Sequence, residues 1–268
     1  MIDISSGPPD EVDLAAAAFG DQPGRWPLPC ADTPHQLWLR AVAAAGQGRY
    51  SHARSDLAAL LRIAPSGAPA SAAHSAHASF LRQLGWHDLA RGRDGRALLL
   101  ACGDAEASGD ALIGLAADAL GVGRLAAAAT LLGRADSVMA QAPRRLAVRR
   151  SWVASELAMA GGDGATAVRH AEAAVELAAS TESARHRAKS QVVLAAALCC
   201  AGDVDRARAV GEGALKLTGE LGLLPLRWAV ASLLLDLVDS EGQIAELRDI
   251  RDDCASCVRR WGGTWREL

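Results

Sequence analysis

From Pro34 onward the apolar positions follow a continuous helical pattern, broken only by small turns. The turns are periodic. Glycine recurs at 48, 85, 123, 162 and 202, with spacings of 37, 38, 39 and 40 residues. Five residues after each stands alanine (Ala53, Ala90, Ala128, Ala167, Ala207), and twelve after come Leu60, Ala97, Ala135, Ala174 and Ala214. Seven before each come Ala41, Ala78, Ala116, Ser155 and Ala195. Such a column has a physical reading. Glycine ends one helix in a left-handed conformation that other residues adopt only at a cost, and small side chains on both sides of the turn let two antiparallel helices approach closely.

Residues 1–33 break the pattern. Pro8, Pro9, Pro23, Pro27 and Pro29 punctuate them, and six carboxylates stand against one cation, Arg25. Only Asp10 to Phe19 is suited to a short helix, with Asp10 as its N-cap. The segment reads as an acidic, proline-rich arm (1–33) ahead of a repeat domain (34–268).

Composition sharpens the fold class. The 268 residues include 59 Ala and 36 Leu, only ten aromatic residues, no Asn, and 26 Arg against two Lys. Strong helix formers dominate and strand formers are scarce, which argues against sandwiches, barrels and a parallel sheet. A net charge of −3 gives no field for nucleic acid. The N-terminus lacks a basic start and an apolar stretch, and no apolar run approaches a membrane span, so the expectation is a cytoplasmic protein with no membrane partner and reduced cysteines.

The segment Leu37 to Pro65 resembles a tetratricopeptide repeat (TPR): Ala41, Gly48, Tyr50, Ala53, Leu60 and Pro65 fall at that family's signature spacings. Gly202-Asp203-Val204-Asp205-Arg206-Ala207 is similarly good, and the resemblance extends over roughly residues 34–220, with a degenerate sixth pair from Pro225 to Arg260. The period exceeds the family's usual 34, which implies longer helices. The resemblance implies an all-α, right-handed α-solenoid of about six antiparallel helix pairs whose first helices line a concave groove. In that register His35, Trp38, Ser79, Arg82, Gln83, Arg149, Trp152, Glu156, Lys189 and Trp228 point inward. The family's clamp for chaperone C-termini uses Lys and Asn, and a chain without Asn lacks it.

Chemical motifs are weak by comparison. Gly121-Val122-Gly123-Arg124-Leu125-Ala126 fits a dinucleotide-binding pattern but follows a helix rather than a strand. Cys254-Ala255-Ser256-Cys257 has no second ligand pair, and His74, His77 and His87 lack a completing carboxylate or thiol. No nucleophile, base and orienter come together, so no catalysis, metal or cofactor is expected.

Two cationic clusters stand out: Arg144, Arg145, Arg149 and Arg150 open the fourth pair, and Arg185, His186, Arg187 and Lys189 open the fifth. Side by side they form one basic patch suited to an acidic or phosphorylated protein segment, with Arg145 and Arg149 as its main contacts. The acidic arm, net −5, is then placed to fold back along the groove and compete. The expected function is a non-enzymatic interaction module, a scaffold or regulatory protein holding a peptide in the groove. The alternative is a ligand-sensing module acting through a separate effector, since solenoids of this period also resemble the effector-binding part of some bacterial transcription regulators.

Overall fold

A computed structural model describes residues 9–266 of the chain. It is an all-α solenoid of six antiparallel helix pairs: α2 (Pro34–Gly46) with α3 (Tyr50–Ile63), α4 (Gly67–Gln83) with α5 (His87–Leu100), α6 (Ala105–Gly121) with α7 (Leu125–Asp136), α8 (Arg144–Ala160) with α9 (Gly164–Ala179), α10 (Ala184–Cys200) with α11 (Val204–Glu220), and α12 (Leu224–Leu235) with α13 (Glu241–Arg260). A further helix, α1 (Pro9–Phe19), precedes them. Among the described residues there is no strand, and no helix is long and apolar enough to cross a membrane.

The glycine column makes the turns. Gly48 has φ +84°, and around it the Arg49 N–H reaches back to the Ala44 carbonyl at 2.9 Å while the Gly48 N–H meets the Ala45 carbonyl at 3.0 Å. This closes the C-terminal end of α2 and reverses the chain into α3. The six-residue loop recurs at Trp86 to Leu81, Arg124 to Ala119, Asp163 to Ala158 and Asp203 to Leu198.

The alanine column packs the pairs. Ala53, Ala90, Ala128, Ala167 and Ala207 are each 0% exposed. Ala128→Leu or Ala167→Leu is therefore expected to overpack the contact and lower stability by about 1–3 kcal/mol. Ala173→Leu, on a half-buried position, should cost visibly less. Equal denaturation midpoints for the three variants would contradict this packing.

The groove is not open. The Ser51 N–H donates to the Trp261 carbonyl at 2.9 Å, the Arg266 N–H to the Leu84 carbonyl at 2.9 Å, and Trp86 Nε1 to the Thr264 carbonyl at 2.7 Å. One apolar cluster holds Leu37, Tyr50 and Phe80 from the first pairs together with Val258 from α13. The small rotation between neighbouring pairs accumulates until the last reaches the first. The array is one closed turn, and its concave face is a central cavity.

The N-terminal segment takes part in this closure. Leu14 is 0% exposed and Ala17 and Ala18 are each 1% exposed, all in the same cluster as α2 and α3. The helix begins at Pro9, so Asp10 lies in its first turn and is not its cap. The Gly20 carbonyl accepts from the Ala184 N–H at 3.0 Å, and Gln47 Nε2 donates to the Pro23 and Arg25 carbonyls at 2.9 Å each. Thr33 caps α2 in a reciprocal box with Gln36.

Candidate functional site

The inner helices α2, α4, α6, α8, α10 and α12 enclose a cavity of about 440 Å³. Among the inward-pointing residues expected from the sequence, Trp38, Ser79, Arg82, Gln83, Arg149, Trp152, Glu156 and Lys189 line it, and so does Arg145 of the expected cationic patch. Trp228 lines an adjoining space of about 260 Å³ that shares Gln83, Glu156 and Lys189. His35 does not reach the cavity. Its side chain is 45% exposed and lies 4.0 Å from Glu11. Phe19, Asp110, Arg185 and His186 also line the space; the sequence had placed Arg185 and His186 only in a charged cluster.

The two cationic clusters come together only in part: Arg145, Arg149, Arg185, His186 and Lys189 share the cavity, while other members leave it. Arg150 turns outward to Asp136 at 2.9 Å, and Arg187 donates to the Thr181 carbonyl at 2.8 Å. Arg145 is held by Glu106 at 3.2 Å and Asp110 at 3.0 Å, and Arg149 pairs with Asp110. Arg145 and Arg149, expected to greet a partner, are thus already neutralised by the preceding pair. The register explains why. Counted back from the turn glycine of each pair, Glu106, Arg145 and Arg185 occupy one repeat position, and Asp110, Arg149 and Lys189 another. The third pair supplies acids, the fourth bases that meet them, and the fifth bases with no acids left over. That ladder was readable at one repeat period, but only once the register was trusted.

Arg185 and Lys189 make no hydrogen bond or ion pair with any of the described residues, in contrast to Arg145 and Arg149. The exposed part of each half-buried side chain faces the cavity. Burial, then the nearby Arg145, lowers the Arg185 guanidinium to about 10, and burial also lowers Lys189. His186 is no third cation: burial and the surrounding Arg185 and Arg145 hold its imidazole neutral, well below the usual histidine range. Its Nδ1 lies 2.6 Å from Ser183 Oγ, and its ring stacks on Trp152 at 5.2 Å between centroids. On Trp152 also rests Lys189 Nζ, 4.6 Å from the ring centroid, while Trp152 Nε1 donates to Ser190 Oγ at 2.9 Å.

One end of the cavity is floored by α1. Phe19 lies 5.2 Å from Trp38 and 6.0 Å from His186, and the guanidinium carbons of Arg145 and Arg185 are each 5.5 Å from its ring centroid. Among the described residues, the arm meets the cationic cluster through this ring and not through its acids; residues 1–8 of the arm, with Asp3, lie outside them. Asp13 pairs with Arg25 at 2.7 Å within the arm itself, and Glu11 faces His35.

On the far wall, Arg82 bridges two fully buried carboxylates, Asp94 of α5 and Asp118 of α6, the latter at 2.8 Å. Gly114 leaves room for this: a Cβ there would lie 2.2 Å from Asp94 Oδ2. The weaker motifs have structural places. Gly121 to Gly123 is the turn between α6 and α7. Cys254 is buried and its thiol is pushed up to about 11 by burial, with Cys257 half-buried beside it. Among the described residues no three His, Cys, Asp or Glu side chains are grouped to hold a metal ion.

No protein-family profile matches this chain, and no curated protein matches it. Among solved structures it is similar to the crystal structure of the yeast Tom70, at 13% identity and a TM-score of 0.38. That likeness covers 94% of this chain and 62% of the other, so the chain spans less than two thirds of that protein's length.

Proposed function

We propose that the protein is a non-enzymatic binding module that takes a compact ligand into its central cavity and acts through a separate effector protein. The observation that carries this reading is the closure of the solenoid around about 440 Å³ of space. A helix with its side chains is about 10–12 Å across and does not lie down in such a volume, whereas small-molecule sites typically occupy about 300–1,000 Å³. A cavity with apolar walls and a few convergent polar groups is the usual form of such a site. A cytoplasmic setting suits its six free cysteines.

A second reading, recognition of a protein partner, has one specific support. The adjoining space beside Trp228 continues past Gln83, so the end of an acidic or phosphorylated chain could enter where a passing segment could not.

Thermal-shift measurements with a panel of small organic acids, sugar phosphates and short acidic peptides test both. A stabilising compound should lose its effect in Ala117→Phe, which fills the cavity from α6 without touching a charge. An undiminished shift in that variant would place binding on the outer surface and reject the cavity.

A further inference from the structure

We propose that Arg185 and Lys189 are the receptor for an oxyanion, a carboxylate or phosphate group carried by a small molecule held in the central cavity. This rests on the cavity being the binding site.

The inference comes from the charges the fold leaves uncompensated. Five cations line the cavity: Arg82, Arg145, Arg149, Arg185 and Lys189. Arg82 is saturated by Asp94 and Asp118, and Arg145 and Arg149 by Glu106 and Asp110. Arg185 and Lys189 face only Glu156, which forms no ion pair with either among the described residues. His186 between them carries no charge to help or hinder. A cation withdrawn from bulk water with no counter-charge weakens the folded state. Arg145 and Arg149 have carboxylates supplied one repeat earlier at the same two register positions. Arg185 and Lys189 stand at those register positions in the next pair, and one repeat before them stand Arg145 and Arg149 instead of acids. The missing counter-charge therefore points to a ligand.

The geometry of the pair suits an oxyanion. Residues 185 and 189 are one helical turn apart on α10 and share a face. A guanidinium presents a planar fork that matches carboxylate or phosphate with two parallel hydrogen bonds, and the ammonium adds a compact charge beside it. Both cations are fixed by aromatic rings and not by acids: Arg185 against Phe19 and Lys189 against Trp152. These contacts orient the side chains and leave their donors free. Glu156, near Lys189 on the shared lining, opposes a second negative group there, which selects against extended polyanions.

The test uses the full chain, with inorganic phosphate and citrate as probes at ionic strength matched with sodium chloride. Wild-type protein should melt at higher temperature with phosphate or citrate than with chloride, and the probe that acts separates the phosphate from the carboxylate source. Arg185→Gln should weaken the apparent Kd about tenfold or more. Without any anion, Arg185→Gln should be at least as stable as wild type, because it removes an uncompensated charge. Lys189→Gln should behave the same way, more mildly. No shift with either probe, or an Arg185→Gln protein that is destabilised yet keeps the full response, would overturn the assignment. Ala117→Phe separates the two claims. If it abolishes a response that Arg185→Gln retains, the cavity stands and the anion receptor falls; if the response survives in Ala117→Phe, the cavity itself is rejected.

Discussion

Arg82→Met is expected to cost about 3–5 kcal/mol of folding stability, the largest effect of any single substitution considered for this chain. Asp94 and Asp118 are both 0% exposed, and Arg82 is the cation that holds them together. Burial pushes the Asp94 carboxyl up against the pull of Arg82, so the site already strains to keep two negative charges. One oxygen of each carboxylate, Asp94 Oδ1 and Asp118 Oδ2, has no hydrogen-bond partner among the described residues. Without the guanidinium, two buried carboxylates must either ionise unpaired or take up protons at neutral pH, and both are costly. The effect should be strongly non-additive. Replacing Asp94 and Asp118 by Asn in the same protein should recover much of the loss, because the penalty belongs to the unpaired charge and not to the missing arginine. Urea denaturation of the single, double and triple variants measures this. An Arg82→Met protein within about 1 kcal/mol of wild type would show that the triad contributes nothing net.

Leu14→Ala is expected to cost about 2–5 kcal/mol, although it lies in a segment whose composition reads as a tail. The side chain is 0% exposed in the apolar cluster of the first pairs, and α1 packs against α2 and α10. Removing residues 1–30 takes away this contact together with Phe19, which floors the cavity. The sequence alone suggests that the deletion tightens partner binding and that high salt mimics it. The packing of α1 against α2 leads to different expectations. The deletion should lower the melting temperature and expose the cavity, while salt should do little, since the described part of the arm is held by apolar burial and backbone hydrogen bonds, with Asp13 on Arg25 and Glu11 beside His35. A truncated protein that melts like the full chain would show that α1 is dispensable.

The places where sequence reasoning failed share a cause. The cationic clusters look like one surface because residues 144–150 and 185–189 are each contiguous along the chain. On a helix, contiguous residues point in different directions, so Arg150 and Arg187 leave the group. Which of the rest stays charged depends on the acids one repeat upstream: Arg145 meets Glu106, 39 residues away, and Asp110, 35 away. Arg82 meets Asp118 over 36 residues, and Trp152 meets Ser190 over 38. A search for partners at one period would have found these pairs. Local charge counting could not.

What the sequence determined by itself is the repeat. Turn glycines and the alanine column act between residues a few positions apart, and their demands, a left-handed turn and a close helix approach, are met by residue type alone. The column alanines and their serine equivalent at 155 are accordingly buried throughout. What only the tertiary structure decided is that the array closes. Ser51 meets Trp261, Leu84 meets Arg266, and Trp86 meets Thr264 across nearly the whole chain, and no residue type announces such a pairing. Closure depends on the sum of many small rotations between pairs, each too slight to be read from one junction. That sum turns a groove into a cavity, an acidic arm into its floor, and Arg185 and Lys189 of the fifth pair into cations that form no ion pair among the described residues.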